Sequence, residues 1–132
     1  MKKTFLIFVS VLIICIVFSS CSSVDPIVGE WESMIANSDA KVTTLCIFNE
    51  DGTFDMKIVG EYLSGDFAGT IRPLMDTSTV EPKYTWKKDC DIDDEYIVHL
   101  TTGGNHKFRI EDGKLLTLNN DGSTTTYIKI TK

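Results

Sequence analysis

Past residue 20 the chain has no apolar run approaching the ~20 residues that cross a bilayer as a helix. Its body therefore offers no membrane-spanning helix. Positive charge is scarce too: 13 Lys and Arg stand against 19 Asp and Glu, a net charge of −6. Such a surface repels nucleic-acid phosphates, so no nucleic-acid partner is expected, and it does not lie flat on an anionic membrane. Histidine occurs twice, at His99 and His106, and two histidines without a placed third ligand make no zinc site. Gly-x-Ser-x-Gly, a Gly-rich phosphate loop after a strand and His-Glu-x-x-His are all missing. Carboxylates are plentiful, but no spacing marks an acid and a base sharing one cleft. The chain is read as a non-enzyme, with no catalytic residue, metal or cofactor expected. No stretch keeps a helical period, and no repeat of 20–50 residues stands out.

The N-terminus is rich in signal. Lys2-Lys3 is followed by an apolar run over residues 5–18, then by Phe18-Ser19-Ser20-Cys21. A basic start, an apolar core and small residues before a cleavage point make a secretory signal. With Cys21 directly after the small pair, the stretch resembles a prokaryotic lipoprotein signal. That resemblance implies cleavage before Cys21, acylation of Cys21 with fatty acids such as palmitate, and attachment to the extracytoplasmic side of the cell membrane. Several acyl chains hold a protein firmly where one binds only marginally. Three segments follow: a signal peptide over 1–20, a lipidated cysteine and tether over 21–26, and a fold over 27–132. Cleavage leaves 112 of 132 residues, one domain's worth, and loss of Lys2 and Lys3 takes the net charge from −6 to −8.

From residue 27 the chain reads as β. Asp51-Gly52, Asp112-Gly113 and Asp121-Gly122 are hairpin-turn signals, with Gly103-Gly104 a further one. Between them lie segments rich in Val, Ile, Thr, Tyr, Phe and Trp. Strands are predicted at 28–34, 42–48, 53–59, 67–72, 84–88, 96–101, 107–110, 115–119 and 125–130. Short loops force sequential neighbours to pair antiparallel, and closing such a meander removes its edges. The predicted fold is an antiparallel up-and-down β-barrel of about eight strands. Residues 74–82 read as a loop over one barrel end.

Gly29-Glu30-Trp31 on the first strand, then Phe48-Asn49-Glu50-Asp51-Gly52-Thr53-Phe54, Tyr96-Ile97-Val98 and Tyr127-Ile128-Lys129, follow a familiar order. The body resembles the small lipocalin-like domains of prokaryotic lipoproteins, within the lipocalin and calycin type of barrel. The resemblance covers about residues 27–131. It implies structural roles for Gly29 and Trp31, with Trp31 plugging the closed end. Lipocalins place a late arginine over that tryptophan; here the last strand offers Lys129.

Cys15 leaves with the signal, so Cys46 and Cys90 remain as an even pair in a compartment where disulfides persist. A bridge between them would close a loop of about 45 residues and contribute on the order of 3–4 kcal/mol; two unlinked thiols on separate strands are the alternative. Residues 89–95 begin Asp-x-Asp-x-Asp but lack the Gly at position six and the Glu at position twelve of a calcium loop, and read as a solvated turn. Around Gly103-Gly104 the favoured register sets Tyr96, Val98 and Leu100 beside Phe108 and leaves His99 outside. Alternation also predicts Trp31, Phe48, Phe54, Ile110, Leu116, Leu118, Ile128 and Ile130 as inward. Two functions follow. A membrane-anchored lipocalin-like lipoprotein would bind a small apolar or amphipathic ligand in the barrel mouth. Alternatively, a filled barrel would contact another envelope protein through its acidic face or residues 63–82, and a contiguous exposed apolar patch there would favour this second function.

Overall fold

The computed structural model describes residues 23–131, all-β, with no helix among them. The signal stretch and Cys21 lie outside the described residues. The strands are β1 (Gly29–Ala36), β2 (Ala40–Phe48), β3 (Thr53–Tyr62), β4 (Ile71–Asp76), β5 (Tyr84–Lys88), β6 (Glu95–His99), β7 (Asn105–Glu111), β8 (Lys114–Leu118) and β9 (Thr124–Lys129). The hydrogen-bonded order runs β1, β2, β3, β5, β6, β7, β8, β9 and back to β1, antiparallel throughout. Eight strands close the barrel and β4 stands outside it.

The outlier follows from the length of β3, 10 residues. Its first residues, Thr53 and Phe54, pair with β5, while Lys57 to Glu61 pair with β4 along the same edge. The predicted strand at 67–72 thus lies further along, and part of the predicted loop at 74–82 is strand. Thr77 fastens its end, since the Met56 amide donates to Thr77 Oγ1 at 2.7 Å and the Thr77 amide to Met56 O at 3.0 Å. Pro73 sits within β4, which suits an outermost strand, because proline cannot serve a central ladder.

Aromatic side chains fill the barrel. Phe48 packs edge-on against Phe54 at 4.9 Å, Phe108 at 5.4 Å and Trp86 at 5.9 Å between ring centroids. Each such pair contributes about 0.5–1.5 kcal/mol beyond its burial. Trp31, Cys46, Tyr96, Val98, Leu115 and Tyr127 complete the buried set with Ile27. Leu116, Leu118, Ile128 and Ile130 are not among them: Leu115, Thr117 and Tyr127 point inward instead, and Ile128 and Ile130 are 55% and 36% exposed. The cause is the Asp112-Gly113 turn, where φ is +49° and +73°. That two-residue turn sets Glu111 opposite Lys114 and so Ile110 opposite Leu115, and a shift of one residue flips every side chain.

The N-terminal segment closes one end. Ile27 is fully buried, and its carbonyl accepts the Trp31 indole N–H at 2.7 Å. Lys129 Nζ lies 5.1 Å from the Trp31 ring centroid and donates to Pro26 O at 2.8 Å. Lysine thus stands over Trp31. Gly29 is needed beside it, because its φ is +130° and a Cβ there would meet Lys129 Cε at 3.0 Å. Tyr96 Oη donates to Asp25 Oδ1 at 2.6 Å. Burial and that carboxylate together push the Tyr96 phenol well above its ordinary pKa.

Candidate functional site

At the other end the strands outrun the barrel. β1 pairs with β9 only at Trp31 and Glu32, yet continues beside β2 through Ala36. β2 and β3 stay paired to Ala40 and Tyr62, and β4 flanks β3 from Lys57 to Glu61. The result is a flange of β1, β2, β3 and β4 that stands clear of the barrel wall. Its tip is tied together: the Leu63 amide donates to Asp39 O at 2.8 Å, and Ser64 Oγ to Asp39 Oδ1 at 2.8 Å.

The two faces of the flange differ in chemistry, and register shows why. Opposed residues of an antiparallel pair share a face. The face continuous with Trp31, Cys46 and Phe54 carries Ile35 opposite Val42, Thr44 opposite Ile58, Ala40 opposite Tyr62, and Ile58 opposite Met75. At the bulge between Ile58 and Val59 the Leu74 side chain folds over Gly60, where a Cβ would lie 3.4 Å from Leu74 Cδ1. A shallow groove of about 170 Å³ results, lined by Val42, Gly60, Tyr62, Arg72 and Leu74 among others. The opposite face bears the ion pairs Lys41–Glu61 at 2.9 Å and Lys57–Asp76 at 3.7 Å.

Much of the apolar face is in solvent. Ile35 is 69% exposed, Phe67 67%, Leu74 55%, Met75 48% and Tyr62 42%. Phe67 reaches back from the β3–β4 connection to lie 6.1 Å from the Tyr62 ring. A run of large apolar side chains at one end, beside a core that buries Phe48, Phe54, Tyr96 and Phe108, is the pattern of a contact surface.

The residues singled out in the sequence do not converge on this surface. Gly29 and Trp31 sit at the closed end. Cys46 is buried in the barrel and Cys90 is exposed on the β5–β6 turn, and both are free thiols. Burial pushes the Cys46 thiol up to about 12, a hydrogen bond with Tyr127 opposing it. His106 lies opposite Val98, and His99 opposite Asn105, so the two imidazoles take opposite faces; His99 Nδ1 lies 2.8 Å from Asn105 Oδ1. Residues 89–94 form the turn before β6, whose first residue, Glu95, is buried and paired with Arg109. Among the described residues no three metal-binding side chains gather. Tyr62, Phe67, Leu74 and Met75 carried no motif; the only signal was the apolar character of Phe67, Leu74 and Met75 inside residues 63–82, a stretch that Tyr62 just precedes.

No family model, no curated protein and no solved structure matches this chain. The closed antiparallel barrel is of the shape that the lipocalin and calycin type adopts.

Proposed function

We propose that this protein is a membrane-anchored, extracytoplasmic barrel of the lipocalin-like lipoprotein kind, held by lipid on Cys21, whose work is to contact another envelope protein through the apolar face of its flange. The carrying observation is the exposure of Ile35, Tyr62, Phe67, Leu74 and Met75 on one side of a sheet that stands free of the barrel. The contrast within the barrel supports the same reading. Phe48, Phe54, Phe108 and Trp86 occupy the volume a carrier would leave for cargo. Placement supports it as well. The tether enters at the closed end, where Asp25 and Ile27 are fixed. β1 then runs 8 residues, roughly 25 Å at about 3.3 Å each, to the flange tip. An anchor at Cys21 therefore holds the flange away from the lipid, towards other proteins.

The test is site-specific photocrosslinking with the full chain in its own host. A photoreactive residue at Phe67 or Met75 is expected to trap a defined protein, while the same group at Lys107, exposed on the barrel wall, traps none. Absence of protein adducts from both flange positions would overturn the proposal.

A further inference from the structure

The flange has two open edges, and they are not equally protected. β4 is outermost, but Pro73 and the bulge opposite Ile58 and Val59 interrupt it, and both devices keep foreign strands from adding to a sheet. The β1 edge has neither. Residues 33–36 read Ser-Met-Ile-Ala, without proline or charge, and lose β9 after Glu32.

Alternation identifies the free groups. Ile130 N donates to Glu30 O at 2.9 Å, so the even-numbered residues of β1 turn their backbone towards β9. The N–H and C=O of Met34 and Ala36 therefore face the open side, and among the described residues no strand pairs with them. There β1 and β9 diverge around a notch of about 430 Å³, lined by Glu32, Ser33, Met34, Thr126, Ile128, Lys129 and Ile130. Met34 is 54% and Ile35 69% exposed, on opposite faces of that edge.

We infer that the notch takes an extended segment of a partner polypeptide, which pairs its backbone with β1 at Met34 and Ala36 and brings a basic side chain to Glu32. This deepens the proposed function and rests on it. Unpaired donors and acceptors at strand spacing fit another strand. The basic preference follows from charge. Glu32 lines the notch on a chain of net charge −6, while Lys129, the one cation among the described residues that line it, is held by Pro26 O and the Trp31 ring. A second copy fits less well. Two-fold antiparallel pairing about Met34 would put the two closed ends, and with them the two tethers, on opposite sides of the dimer, which two chains anchored in one membrane cannot adopt.

The experiment selects binders from a displayed library of random twelve-residue peptides, using the full chain in mild detergent. Enriched peptides are expected to alternate β-prone residues and to carry Lys or Arg. N-methylation of alternate amides in a selected peptide is expected to weaken it at least tenfold, a readout independent of how the protein folds. Met34→Pro, which removes an N–H that does not serve β2, is expected to do the same, while Lys107→Ala, at an exposed position on the barrel wall, leaves the affinity within about twofold. The inference is overturned by a library that yields no binder, by peptides that tolerate both N-methylation and Met34→Pro, or by a dimer in sedimentation that Met34→Pro dissolves. Any of these alongside intact crosslinks from Phe67 and Met75 would reject the strand-binding edge while leaving the proposed function standing.

Discussion

Trp31 and Lys129 hold the closed end together, and they do so unequally. Trp31→Ala removes a fully buried ring and a hydrogen bond to Ile27 O, and is expected to cost about 3–5 kcal/mol in denaturant unfolding. Lys129→Ala removes a half-buried cation from the ring face and is expected to cost about 0.5–1 kcal/mol. Cys46 makes a prediction about alkali. Its folded pKa, about 12, lies above the ordinary 9.0, so its contribution to stability is complete below pH 9 and is lost as pH rises from there towards 12. Tyr96 and Tyr127 are raised above 10.0 in the same direction. Stability should therefore fall from about pH 9 upward, and Cys46→Ala should flatten the first part of that decline. Thiol labelling offers a companion check: Cys90 should react in the folded protein and Cys46 only after unfolding. Gly29 and Trp31 were legible in the sequence because their pattern is local. The last strand offered Lys129 as the counterpart of the lipocalin arginine, but its contact with Trp31 was not legible, because it forms only through the β1–β9 closure.

Among the elements, the hairpins were the most legible part. Asp51, Asp76 and Asp121 each accept both the amide and the hydroxyl of the residue two positions on, Thr53, Ser78 and Ser123. Those hydrogen bonds hold all three carboxyls below their ordinary pKa. The Asp112-Gly113 turn decides more than a local bend, since it sets which face of β8 is buried. Gly113 lies at φ +73°, so Gly113→Ala is expected to cost about 1–2 kcal/mol, read by denaturant unfolding. Periodicity alone misplaced Leu116 and Leu118, because β8 carries Leu115 and Leu116 side by side and only the turn chooses between them. Strands β2 and β3 were expected to be shorter. Gly60 interrupts the β pattern, and charged Lys41 and Glu61 look like a turn until their pairing across one face is seen.

For the molecule as a whole, the eight-stranded closure was legible and the flange was not. Closure follows from many short strands and tight turns, whereas the flange depends on β3 serving two partners along one edge, which no sequence period encodes. The proposed division of labour between its ends yields a prediction for the full chain. Cys21→Ala is expected to move the protein from the membrane fraction to the soluble one, with the barrel still folded by circular dichroism; persistent membrane association would contradict lipid anchoring. If a surface rather than an interior carries the function, native mass spectrometry of the full chain, extracted gently from its host membrane, settles the matter. The expected spectrum shows covalent acyl mass on Cys21 and either a bare barrel or a barrel joined to a polypeptide. A small-molecule adduct that recurs between preparations and leaves on denaturation would make the barrel a carrier, contrary to the reading advanced above.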